Sequence, residues 1–175
     1  MDETSSSTID LTEASCRLGQ AQVIESSLLA APPAAVWGRV ASMTGVNAEL
    51  MPAVRMTFPR ACERLDRNLL VPGRTLFRSV LLLFGVLPVD VHSLALASLA
   101  PGRGFLESSS SLLNRRWIHE RVLDAEEGAT RIRDRVYFEC RLPGLRVALA
   151  PVVRAIFRHR HAQLRRHFGT GVAPR

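Results

Sequence analysis

The sequence predicts an α+β domain. A curved, mainly antiparallel sheet of about seven strands is expected to wrap a long C-terminal helix, with two short helices after the first strand. Three observations carry this reading. The segments fall in the order strand, two short helices, six strands, long helix. Within Thr130–Phe138, Ile132, Val136 and Phe138 alternate with Arg131, Arg133 and Arg135, the period-two pattern of a half-buried antiparallel strand. From Leu145 to Phe168, Leu149, Val152, Val153, Ile156, Phe157, Leu164 and Phe168 form an apolar stripe at helical spacing, which must be buried against another layer.

Residues 1–20 read as a mobile leader, rich in Ser and Thr with little periodicity. The domain is expected over 21–169, with a tail at 170–175. Gln22–Ala30 reads as the first strand. Pro32-Pro33 ends it and opens a helix through Val36, Trp37 and Val40, since proline suits a first helical turn. A second short helix runs through Asn47–Leu50 to Pro52. Six extended segments follow: Val54–Leu65, Arg74–Phe84, Val89–Leu99, Gly104–Leu112, Arg116–Asp124 and Thr130–Cys140. Pro72-Gly73, Pro101-Gly102 and Glu127-Gly128 supply turns between them. Pro143-Gly144 closes the sheet region, and Gly169 and Gly171 end the final helix. Pro151, six residues into that helix, predicts a kink or a late start.

Composition closes several functional routes. The chain has 175 residues, 47% of them hydrophobic, and its 23 basic residues are all arginine. Without lysine there is no Schiff-base or P-loop lysine chemistry. No G-x-G-x-x-G opens a helix after a strand, and no G-x-S-x-G elbow appears, so no cofactor and no hydrolase triad are expected. Cys16, Cys62 and Cys140 have no paired spacing, and Asp90 with His92 share a face but lack a third ligand, so no metal is expected. The polar, acidic N-terminus lacks a signal-peptide pattern, and the longest apolar run, Val80–Leu87, is far below the roughly 20 residues of a membrane span. A reducing, cytoplasmic setting is the simplest expectation.

Several segments together resemble the SRPBCC superfamily, also called START-like or polyketide cyclase/dehydratase-like, over roughly residues 21–169. Ala30-Ala31-Pro32-Pro33-Ala34-Ala35-Val36-Trp37 is similar to its strand-to-helix entry, and Gly45–Pro52 to its short second helix. Trp117-Ile118-His119-Glu120-Arg121, Thr130–Phe138 and Phe157-Arg158-His159-Arg160-His161 resemble a bacterial branch that pairs a Trp-x-His strand with a Thr-x-x-x-Asp strand. The resemblance implies a helix-grip fold and a cavity that takes a hydrophobic or amphipathic small molecule, for carriage, sensing or catalysis.

The candidate chemistry centres on His119, Arg121 and Asp134. Trp117, His119 and Arg121 share one strand face, and Asp134 interrupts the apolar face of Ile132, Val136 and Phe138. An inward carboxylate needs a partner. One reading is a structural ion pair with His119 or Arg121; the other is a ligand-contacting site, or an acid/base pair of His119 and Asp134 in a cyclase or dehydratase. Glu107 and Arg78 are either polar points in an apolar pocket or outward-facing. Residues 141–175 hold eight arginines and no acid. This stripe reads as the solvated outer face of the long helix, His161 and Arg165 included, with peripheral contact to an anionic membrane as the alternative. It is only one helix wide and has no interleaved exposed aromatics, so no nucleic-acid partner is expected.

Overall fold

The computed structural model describes residues 14, 16–65 and 74–171. Its strands are β1 (Val23–Leu29), β2 (Val54–Met56), β3 (Phe77–Leu83), β4 (Leu87–Leu94), β5 (Leu96–Ala100), β6 (Gly104–Ser111), β7 (Asn114–Glu126) and β8 (Ala129–Cys140). Its helices are α1 (Pro33–Val40), α2 (Met43–Leu50) and α3 (Leu145–Phe168). The sheet runs β1-β8-β7-β6-β4-β3-β2, a seven-strand antiparallel path, with β5 paired to β6 beside it. This is the predicted helix-grip architecture.

Local chemistry explains the boundaries. Pro33 sits in the first turn of α1, and Ser42 caps α2 by accepting the Gly45 amide at 3.0 Å. Gly128, at φ 65°, turns β7 into β8. The expected strand Val89–Leu99 is broken at Ala95, whose N–H donates to the Ser109 hydroxyl at 3.0 Å and whose carbonyl accepts the Ser108 amide. That break divides β4 from β5, so one end of β6 pairs with each. The expected strand Val54–Leu65 is shorter than predicted. It ends at Met56, because Pro59 and a 3₁₀ turn at Arg60–Cys62 interrupt the ladder. The helix α3 spans Leu145–Phe168 with Pro151 inside it, so the late start that Pro151 suggested does not occur.

The leader also ends earlier than residue 20. Residues 16–18 are helical, and Leu18, with Ala14, packs on Leu106, Ile118 and Tyr137 on the outer side of the sheet. Residues 1–13 and 15 of the leader, the Pro72-Gly73 turn and the last four residues lie outside the described residues. On the inner side, Leu29, Val36, Val40, Leu123, Ile132 and Leu164 join the sheet to α1 and α3. Val23, Val136, Phe138, Val153 and Phe157 continue that contact along α3. The outward arginines of β8 behave as alternation predicts: Arg131 pairs with Glu126, Arg133 with Asp124 and Arg135 with Glu120.

Gly104 fixes the register that matters for the site. Its φ is 143°, and a Cβ there would lie 2.0 Å from the carbonyl oxygen of Arg121. Only glycine permits this approach, which seats Glu107 opposite His119 across β6 and β7.

Because Leu164 is fully buried between sheet and helix, Leu164→Ala should cost about 2–5 kcal/mol in urea unfolding. Val147, which is 79% exposed on the same helix, should tolerate alanine within about 0.5 kcal/mol. Equal costs would show that α3 is not held by this face.

Candidate functional site

Side chains from β6, β7 and β8 converge with α2 and α3 under the concave face of the sheet. Alternation places His119, Arg121 and Asp134 inward, and all three are buried. Asp134 is completely enclosed. Its Oδ1 accepts from Arg121 Nε at 2.8 Å and from His119 Nε2 at 2.9 Å. Its Oδ2 accepts from Arg121 Nη2 at 2.7 Å and from His161 Nε2 at 3.0 Å. The other side of the Arg121 guanidinium donates from Nη1 to both oxygens of Glu49, at 3.1 and 3.0 Å. Arg160 of α3 also donates to Glu49, from Nε at 3.0 Å. One continuous network therefore ties β7 and β8 to α2 and α3.

Arg146, Arg154, Arg158 and Arg166 of the final helix are exposed, as its solvated reading expects, but His161 and Arg160 depart from that reading. His161 is 1% exposed. Its Nε2 is bonded to Asp134 and its Nδ1 lies 2.9 Å from the Ser27 hydroxyl, and Arg165 donates to that same oxygen at 2.6 Å. Arg160 is likewise buried. His159, two residues from His161, points elsewhere, to the carbonyl of Met51 at 2.8 Å.

The electrostatics follow from this geometry. Burial alone would raise the Asp134 carboxyl, but the charge and hydrogen bonds of Arg121, helped by His119, hold it well below the usual carboxylate range. Burial alone would lower the Arg121 guanidinium; Asp134 and Glu49 outweigh it and raise it. Both Asp134 oxygens therefore have their acceptor directions occupied, and the residue has no exposed surface.

A second polar group lies beside the network. Glu107 of β6 accepts from His92 Nε2 at 2.6 Å, and its other oxygen lies 3.5 Å from His119 Nδ1. Burial pushes Glu107 up, but hydrogen bonds from His119 and His92 outweigh it and hold the carboxyl well below its ordinary value. Burial pushes His92 down; the hydrogen bond and charge of Glu107, with the charge of Asp90, reverse this and raise it above its usual 6.5.

These polar groups border an apolar cavity of about 160 Å³ between the sheet, α2 and α3. Its walls include Leu50, Leu81, Leu94, Ile156 and Phe157; His92, Glu107, His119 and Trp117 also face it. Phe105 and Phe157 set their rings edge-on to His119, 5.2 and 5.0 Å away, and Trp117 stacks on Phe138. Among the residues expected at a ligand site, Glu107, Trp117 and His119 line the cavity, whereas Arg121 and Asp134 lie behind its wall. Arg78 is outside it, exposed between the buried Phe77 and Ser79. The run Leu76–Phe84 is apolar on both faces, so alternation gives no phase there. The partnership of His92 with Glu107 was not legible, since it depends on how β4 meets β6. Glu49 and Arg160 gave no signal beyond an acid on a short helix and one arginine among many.

A family model described as Domain of unknown function (DUF8410) matches residues 27–168. No curated protein matches the chain. Several solved structures share the fold. Protein CV1439 from Chromobacterium violaceum is 15% identical with a TM-score of 0.62, over 85% of this chain and 97% of that one. A START superfamily protein from Mycobacterium smegmatis is 11% identical at TM-score 0.54, over 83% of this chain and 95% of that one. DynU16, from the dynemicin biosynthetic locus, is 17% identical at TM-score 0.54, over 83% of this chain and 46% of its own. At these identities the likeness is one of fold, the helix grip, and folds of this kind commonly bind hydrophobic ligands.

Two measurements probe the site. Arg121→Met leaves Asp134 and Glu49 as buried, unmatched carboxylates, so it should cost about 3–5 kcal/mol in urea unfolding; a near-neutral change would remove the network from its central place. The His92–Glu107 pair sets a pH window. His92 is raised in the fold, so its contribution is complete below about 6.5 and fades as pH climbs through the elevated value. Glu107 is depressed, so its contribution is complete above about 4.5 and fades as pH falls toward the low value. Unfolding free energy should therefore be greatest between these limits, and His92→Asn should remove its alkaline decline. An unchanged alkaline slope in that variant would assign the decline elsewhere.

Proposed function

The chain belongs to the DUF8410 family of domains of unknown function, and we propose that it binds a compact hydrophobic or amphipathic small molecule in the cavity between its sheet and α3. The observation that carries this reading is the apolar cavity itself, bordered on one side by a few polar groups. That composition is typical of small-molecule sites, where apolar walls supply affinity and a few polar atoms orient the ligand.

The volume supports a small ligand. An apolar protein cavity of about 150 Å³ stays dry and takes up benzene. A cavity of about 160 Å³ suits a molecule of about that ring size and is too small for a long acyl chain. The binding reading is favoured over a cyclase or dehydratase built on His119 and Asp134, because both Asp134 oxygens are already occupied by Arg121, His119 and His161. It is favoured over a membrane-contacting carrier, because α3 spends Arg158, Arg160 and Arg165 on Glu25, Glu49 and Ser27. No helix among the described residues is long and apolar enough to cross a membrane.

Toluene is the direct probe. Titrated into the protein, it should raise the melting temperature, with a stabilisation of about 2.7 kcal/mol at a hundred times its Kd. Ile156→Trp, which fills the cavity from α3, should keep the fold and abolish the effect. A protein indifferent to toluene, or a filled variant that responds as the parent does, would overturn the reading.

A further inference from the structure

Of the titratable groups around the cavity, His92 has a ring nitrogen to spare. A carboxylate only accepts, so the 2.6 Å contact with Glu107 fixes the Nε2 of His92 as a donor. Its Nδ1 has no hydrogen-bond partner among the described residues, and His92 lines the cavity. His119 is different: Nε2 is bound to Asp134 and Nδ1 faces Glu107. His161 uses both nitrogens on Asp134 and Ser27.

We propose that His92 is the specificity-determining donor of the cavity, and that its Nδ1–H takes the carbonyl oxygen of a ring-sized apolar ligand. This rests on the binding reading above and assigns that ligand a class: a compact aromatic or alicyclic ketone or aldehyde. Glu107 is the positioning residue, because it holds the imidazole by the opposite nitrogen and favours its charged form. His119 braces Glu107 from β7, and the Asp134–Arg121–Glu49 network braces His119 in turn. Trp117 closes the other side, its ring perpendicular to that of His92 at 6.0 Å.

The charged groups around His92 favour its protonated form. Asp90 on its own strand and Glu107 from β6 are carboxylates, and both act to raise His92. His119 from β7 and Arg160 from α3 also line the cavity; β3 presents Leu81 and α2 presents Met43, Val46 and Leu50, none of them titratable. A charged Nδ1–H is a strong donor to a carbonyl oxygen. Once the proton leaves, Nδ1 is a lone-pair acceptor and repels that oxygen. Recognition of a carbonyl should therefore follow the charge of His92.

Acetophenone and α-methylstyrene test this, since they have nearly the same shape and differ by a carbonyl oxygen in place of a methylene. Acetophenone should bind about tenfold tighter at about pH 5 and lose that preference by about pH 9. The infrared carbonyl band of bound acetophenone should lie at lower frequency at the acid pH and move back at the alkaline one, a readout that needs no variant. In His92→Leu the two compounds should bind alike at both pH values. In Glu107→Gln the preference should disappear at a lower pH than in the parent. Equal binding of both compounds at every pH would overturn the assignment of His92 while leaving the cavity reading intact. A preference for acetophenone that does not vary with pH would also overturn it, and would point to Arg160. Failure of both compounds to bind would overturn both readings.

Discussion

A carboxylate withdrawn from water must be met by donors at both of its oxygens, or the fold loses several kcal/mol. Asp134 is fully enclosed in the β7–β8 ladder of the sheet, and the positions of its neighbours follow from that demand. Arg121 supplies two parallel N–H groups from the facing strand, and His119 and His161 supply the others. The guanidinium then has donors left over, and Glu49 is drawn down from α2 to receive them. Arg160 of α3 completes the balance on Glu49. Sheet, short helix and long helix are thus joined by charge at one point, and by apolar contact around it.

That junction has a consequence for the cavity. Exchanging buried ion pairs for well-packed apolar residues is often neutral or stabilising, so such a network gives weak grounds for stability as its purpose. Its geometry is better matched to position. His119 is clamped between Asp134 and Glu107, and Glu107 in turn grips His92. The chain of contacts runs from a sealed interior outward to the imidazole of His92, which lines the cavity, each group held by the one behind it.

Much of this was legible in the residues. The alternation of Thr130–Phe138 places Asp134 among Ile132, Val136 and Phe138, and its inward direction, together with that of His119 and Arg121, follows from period two alone. The Gly-bounded apolar stripe locates α3 to the residue. Other parts depend on quantities that a linear pattern does not hold. The rotation of α3 about its axis decides that His161 and Arg160 face the sheet while His159 does not. The break at Ala95 decides that β4 meets β6 where His92 can reach Glu107. Arg78 takes the outward of its two readings; apolar residues lie on both sides of its strand, so the pattern there has no phase to choose between them. Glu49 lies 72 residues from the arginine it serves, and only the folded chain brings them together.

The central claim is that the buried network leaves one histidine nitrogen available to a ligand, and that it belongs to His92. Nitrogen-15 NMR of the histidine-labelled protein reads this directly. On addition of acetophenone at mildly acid pH, the Nδ1 resonance of His92 should shift while both nitrogens of His119 and His161 stay in place. A shift confined to His119, or a ligand-saturated protein whose His92 resonances do not move, would contradict the account.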